Sequence, residues 1–119
     1  MYSAKLLDHF QNPRNVGQIA NADATAEIEN PACGDLLWLT LKIDAGAITD
    51  AQFKARGCTA AIACGSALTE LVVGKTLAQA AKLRREDITA EVGGVPQAST
   101  HAPQLAIDAL SAALKSIRG

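Results

Sequence analysis

Strict alternation of apolar and polar residues dominates the middle of the chain. In residues 36–44, LLWLTLKID, the side chains of Leu37, Leu39, Leu41 and Ile43 share one face. Those of Leu36, Trp38, Thr40 and Lys42 share the other. A period of two is that of a strand, because successive side chains of extended backbone point to opposite sides. Residues 48–56, ITDAQFKAR, repeat the pattern, with Thr49, Ala51, Phe53 and Ala55 expected inward and Asp50, Gln52, Lys54 and Arg56 outward. The DAGA segment at 44–47, with Gly46, is the turn that joins the two into a hairpin. A weaker alternation over 24–29, ATAEIE, predicts an edge-type strand.

Around these strands the period becomes helical. Residues 3–10 form a short amphipathic pattern with Ser3 placed as N-cap and Leu6, Leu7 and Phe10 on one side. Pro13 in NPRNVG ends it. From Thr59 a second helical pattern runs to about Val73 and stops at Gly74. Within it Cys64, Leu68 and Leu71 make an i, i+4, i+7 apolar stripe. Residues 76–83 and 85–92 predict two short helices, and GGVPQAST at 93–100 predicts a loop. Pro103 suits the first turn of a last helix, whose buried stripe is expected at Ile107, Leu110, Leu114 and Ile117. One helix, three strands and then helices give an α+β fold with the helices packed on one face of the sheet.

The chain has 119 residues, which is enough for one core, and we read residues 1–119 as a single domain. Hydrophobic residues make up 49% and aromatic residues only 3%, so the core must be built from Ala, Leu, Ile and Val. The many alanines at helical positions favour close-packed helices. The formal charge of −1 comes with no basic patch, which gives no reason to expect nucleic acid as a partner. No stretch approaches the ~18 apolar residues of a membrane span, and MYSAKLLDHF does not read as a secretory leader. A cytoplasmic location is the resulting expectation.

The chemistry gathers at the ends of elements. Cys33 and Asp35 precede the central strand, Cys58 follows the return strand, and His101 precedes the last helix. In a hairpin the start of one strand lies beside the end of its partner, so the Cys33–Gly34–Asp35 turn should lie near Cys58. Two sulfurs, a carboxylate oxygen and an imidazole nitrogen would suit tetrahedral zinc or iron. The start of a helix should favour Cys58 as thiolate. Taken singly, each residue has a plainer reading: Cys33 or Cys58 as a small buried side chain, Asp35 as a turn or cap residue, His101 as a solvated loop histidine. Cys64 reads as core. Six helical residues beyond Cys58 at about 1.5 Å each put it ~9 Å away, too far to share one zinc with ~2.3 Å bonds. His9 reads as structural or solvated.

Several segments, in order along nearly the whole chain, resemble the IscU/NifU-type iron–sulfur cluster assembly scaffolds, a group to which SufU-type proteins are related. YSAKLLDHFQNPRNVG is similar to the opening of that family. PACGD is similar to its first ligand loop, and FKARGCTAAIACGSALTELVVGKTL to the segment with its second cysteine. HAPQLAIDAL falls where the family carries a His-Cys pair before the last helix. The resemblance implies a three-stranded antiparallel sheet with helices (the SufE/NifU fold). It also implies a scaffold rather than an enzyme, with Cys33, Asp35, Cys58 and His101 as ligands of a [2Fe–2S] cluster or iron, or of zinc at the same site. Its partners would be a cysteine desulfurase and recipient apoproteins. Tyr2 falls where the family has a tyrosine associated with self-association, so a homo-oligomer is allowed.

Two departures stand out. The family's third cysteine is replaced by Ala102, and its chaperone-recognition stretch is represented by Val95, Pro96, Gln97, Ala98 and Ser99. Loss of that thiol leaves a second reading open, a zinc-holding relative that modulates a desulfurase or transfers sulfur. A third reading, Cys58 as nucleophile with His101 as base, lacks an oxyanion loop.

Overall fold

The computed structural model describes residues 1–31 and 34–117. Strand β2 (Asp35–Asp44) is the centre of a three-stranded antiparallel sheet, with β1 (Ala24–Asn30) on one side and β3 (Ala47–Arg56) on the other. Leu37, Leu39 and Leu41 face inward, flanked by Ile28, Ala26 and Ala24 across β1 and by Ala55, Phe53 and Ala51 across β3. The leucines are fully buried, as the period of two requires.

The β2–β3 turn consists of Ala45 and Gly46, with φ of 51° and 77°. Two positive φ values in a two-residue hairpin loop are the requirement of a type I′ turn, whose twist matches that of the strands. Alanine is a poor residue for this conformation and Ala45 is exposed, so Ala45→Asn should raise stability by about 0.5–1 kcal/mol. Chemical denaturation of the two proteins measures it.

At one point the alternation misleads. A bulge between Lys42 and Ile43 shifts the register, so that Lys42 faces Asp50 while Ile43 faces Ile48. Ile48 is therefore fully buried and Thr49, expected inward, is exposed.

Helices α1 (Ala4–Gln11), α2 (Thr59–Val72), α3 (Leu77–Ala81), α4 (Arg85–Glu91) and α5 (His101–Lys115) complete the chain, with a 3₁₀ turn at Gln97–Ser99. Ser3 caps α1 by accepting from the Leu6 N–H at 3.0 Å. Thr76 caps α3 with a reciprocal capping box to Gln79. On the leucine face, α2 lies along β3 and α5 along β1 and β2, while α1 packs on α2 and α4 on α5.

The contact face of α5 is not the stripe of its largest residues. Ala102, Leu105, Ala106, Ala109, Leu110 and Ala113 are buried, whereas Ile107, Leu114 and Ile117 are half-buried. An alanine lane lets the helix backbone approach the sheet closely, and the bulky residues then flank the contact. Among the described residues, the opposite face of the sheet is roofed toward its far end. There Ile19 N–H donates to Thr40 Oγ1 at 3.0 Å and Lys42 Nζ to Asn21 O at 3.3 Å, while the preceding residues pair along the outer edge of β3, Gly17 N–H donating to Phe53 O at 2.9 Å.

His9 is structural, not solvated. It is 5% exposed, with Nδ1 2.8 Å from Ser66 Oγ. That oxygen already accepts from the Arg14 N–H at 2.9 Å, so its hydroxyl is free to donate to Nδ1. The proton of the neutral ring then sits on Nε2, toward Glu70. Burial lowers the pKa of His9 below its ordinary 6.5. The Arg14 charge adds to this, while Glu70, Glu91 and Asp8 oppose it. A depressed folded-state pKa means that the unfolded chain binds the proton first as pH falls. The stabilisation from neutral His9 is thus fully present above pH 6.5 and is lost as pH drops through the folded-state value. Denaturant titrations between about pH 7.5 and 5 should show a shallower loss of stability in His9→Asn than in the parent.

Candidate metal centre

The hairpin register builds the site. Leu36 pairs with Arg56, so Asp35 at the start of β2 lies beside Gly57 and Cys58 at the end of β3. Gly57 has φ of 150°, and a Cβ there would lie 2.2 Å from Asp35 Oδ1 and 2.5 Å from its Cγ. The carboxylate occupies the space that only glycine leaves open.

Cys58 is the N-cap of α2 and His101 is the first residue of α5. Asp35 Oδ1 accepts from the Cys58 N–H at 3.3 Å. Asp35 Oδ2 is 3.4 Å from Cys58 Sγ and 3.0 Å from His101 Nε2. Sγ and Nε2 are 3.8 Å apart. The three candidate ligand atoms lie within 4.8 Å of one another. Asp35 is 4% exposed, while Cys58 and His101 are half-buried, so the group is anchored from the carboxylate side and reachable from the other. Three of the four residues singled out in the sequence thus meet at one point. Cys33 lies outside the described residues. Asp35 serves the local structure as well, since it satisfies an N–H at the start of α2.

One electrostatic expectation is corrected. The Cys58 thiol is pushed above its ordinary pKa, not below it. Burial is the largest cause, and the Asp35 carboxylate adds to it by hydrogen bond and by charge. The N–H groups of Ala61 and Ala60 at the helix start pull the other way and are outweighed. Without a metal the geometry therefore favours a thiol hydrogen-bonded to the carboxylate.

Cys64 is fully buried in the core and burial pushes its thiol up to about 12, in keeping with its apolar stripe. Ala102 is 1% exposed and offers no donor. His9, Glu70 and Glu91 form a second group of ligand-type atoms within 4.8 Å, but Glu70 Oε1 already lies 3.7 Å from Arg14 Nε and 3.9 Å from His9 Nε2, which marks it as a charge cluster around Arg14. Sequence reasoning overlooked Gly57. The Gly-Cys pair at a strand end was the available signal, because a glycine there marks close approach by another group.

The whole chain, residues 1–119, matches the NifU-like N terminal domain family. It is 46% identical over 114 residues to the iron-sulfur cluster assembly scaffold protein IscU 1 of Archaeoglobus fulgidus, covering 96% of this chain and 74% of that protein. It is 44% identical over 117 residues to the iron-sulfur cluster assembly scaffold protein IscU of Escherichia coli K12, covering 95% of this chain and 91% of that one. The crystal structure of a nitrogen-fixing NifU-like protein (N-terminal) from Brucella abortus superposes with a TM-score of 0.77 at 23% identity, covering 97% of this chain and 92% of that one, a likeness of fold. The α+β architecture, the convergent donors and these matches together establish that this chain belongs to the NifU-like N-terminal domain family.

Proposed function

We propose that this protein is an iron–sulfur cluster assembly scaffold that binds iron or a [2Fe–2S] cluster through Cys33, Asp35, Cys58 and His101 and passes it to apoproteins. The observation that carries this reading is the meeting of a carboxylate, a thiol and an imidazole within 4.8 Å at one end of the sheet. Membership of a family whose relatives are named as scaffolds supports it. The iron and sulfide are cargo.

The donor set fits that cargo. Bonds of 2.0–2.3 Å to a tetrahedral ion put neighbouring ligand atoms about 3.5 Å apart. Sγ–Oδ2 at 3.4 Å and Sγ–Nε2 at 3.8 Å are close to this separation, and Nε2–Oδ2 at 3.0 Å needs to open by a few tenths. An entering ion therefore replaces the hydrogen bonds that hold the three side chains together. It displaces the Cys58 thiol proton without requiring the loops to move far. The hard carboxylate is the weakest partner for a soft sulfide-bridged cluster, so Asp35 is the ligand from which release would begin. The same donors suit zinc.

Sulfur would come from a cysteine desulfurase or arrive as free sulfide. With alanine at position 102, Cys33 and Cys58 are the thiols left to take the outer sulfur of a desulfurase persulfide, whose cysteine departs as thiolate, whereas free sulfide would bind the iron directly without a thiol acceptor. Cys64 is sealed in the core and takes no part. A carrier role also agrees better than nucleophilic catalysis with a Cys58 thiol whose pKa is raised.

The test is anaerobic reconstitution of the metal-free full chain with ferrous iron and sulfide. Visible charge-transfer absorption and stoichiometric bound iron are expected, both lost in Cys58→Ala, while Cys64→Ala keeps them. A colourless product without bound iron would rule the reading out.

A further inference from the structure

The sheet face turned away from α2 and α5 carries a charge pattern with a symmetry of its own. Toward the Asp35 end, beyond the roofed part at Thr40, its side chains come in two cross-strand rows. Glu27, Trp38 and Lys54 form one, and Glu29, Leu36 and Arg56 the other. Glu27, Glu29, Lys54 and Arg56 are exposed, and Leu36 and Trp38 are half-buried. β1 therefore presents an acidic edge, β2 an apolar spine and β3 a basic edge. Trp38 Nε1 donates to Glu27. Among the described residues, the side chains of Glu29, Lys54 and Arg56 make neither a hydrogen bond nor an ion pair within the chain. The acidic and basic edges are separated by two strand spacings, about 10 Å, so they do not neutralise each other directly.

We propose that this face binds a second copy of the same chain, two-fold related, with the axis running parallel to β2 between the two faces. Rotation about that axis exchanges the two edges and keeps position along the strand. Glu27 then meets Lys54 of the second copy, Glu29 meets its Arg56, and the Leu36–Trp38 spines stack on each other. The other in-plane axis, across the strands, sets acid against acid and base against base. One two-fold arrangement is thus attractive at both edges and its alternative repulsive at both, which is how charge selects an orientation. The axis parallel to β2 also leaves the two Asp35 residues at the same end of the pair.

The patch is small. Three strands by about four residues cover roughly 200 Å² before side-chain relief, well under the ~800 Å² per partner of a stable complex. The association is consequently weak and is weakened further by salt.

Charge exchange tests this directly. Glu27→Lys/Glu29→Lys makes both edges basic, and Lys54→Glu/Arg56→Glu makes both acidic. Each variant alone should be monomeric by sedimentation equilibrium at a concentration where the full parent chain self-associates. An equimolar mixture should form a heterodimer, because every edge contact becomes attractive again. Amide shifts that depend on concentration should centre on residues 27, 29, 36, 38, 54 and 56. The single exchanges Glu29→Lys and Arg56→Glu repeat the test if a double variant fails to fold. Self-association of either variant at parental strength, a mixture that stays monomeric, or a parent that is monomeric at millimolar concentration would each overturn the proposal.

Discussion

Gly57→Ala should separate the site from the fold: the protein remains folded but loses at least tenfold in retained iron after reconstitution, with a stability loss of about 2–4 kcal/mol. The added methyl would stand 2.2 Å from Asp35 Oδ1 and 3.0 Å from its Cβ. One of the two must move. The backbone at Gly57, with φ of 150°, is already where an L-residue is strained, so relaxation falls mainly on the Asp35 side chain. Displacing it breaks the hydrogen bond from Cys58 N–H at 3.3 Å and the contact to His101 Nε2 at 3.0 Å. It leaves a carboxylate that is now 4% exposed without those partners. The three donors no longer share one point, and an ion gains at most two of them in the right place. A double-mutant cycle identifies the cause. In Asp35→Ala the Oδ1 and Cγ contacts are absent, so Gly57→Ala should cost markedly less in that background. Equal costs in both backgrounds would show that backbone strain, not the carboxylate, is what the glycine serves.

Much of this was legible in advance because the hairpin obeys a local rule. The alternation in 36–44 fixed the inner face of β2, and the antiparallel pairing of its start with the end of β3 then brought Asp35 to Cys58 without reference to any distant element. His101 was harder. It joins the site only through the packing of α5 across β1 and β2, a non-local event that the sequence signalled by resemblance rather than by pattern. The errors share a cause in competition between local periodicity and tertiary geometry. Alternation carried through the turn places Thr49 inward, whereas a bulge at Lys42/Ile43 resets the register. The largest residues of α5 suggest one stripe, but the sheet accepts the alanine lane and sets Ile107 and Leu114 at the margin. A helix start by itself acidifies a thiol, but at Cys58 burial and an adjacent carboxylate outweigh the two N–H groups. Which of these opposing effects wins depends on distances that spacing along the chain does not supply.

The same competition decides the second large effect, at Gly65. A glycine in the interior of a helix reads as a weak point worth roughly 1 kcal/mol, which Gly65→Ala would be expected to recover. The packing reverses the sign. A Cβ at Gly65 would meet Phe53 Cδ2 at 2.6 Å, its Cε2 at 2.8 Å and Leu37 Cδ1 at 3.2 Å. Phe53 and Leu37 are themselves fully buried and have nowhere to go. At Gly65 α2 presses directly on the sheet, and overpacking there costs about 1–3 kcal/mol for one methyl, which outweighs the gain in helix propensity. Gly65→Leu adds three further carbons to the same contact, and we expect a loss of about 4 kcal/mol or more, enough to leave the chain largely unfolded. Thermal melts of the alanine variant measure the first step: a Tm above that of the parent would show that the helix is free to move away from Phe53. Because Cys58 is the N-cap of α2, any outward shift that relieves the clash also carries the thiol away from Asp35 and His101. Gly65→Ala should therefore weaken iron retention in the folded fraction, even though residue 65 lies two helical turns from the donors.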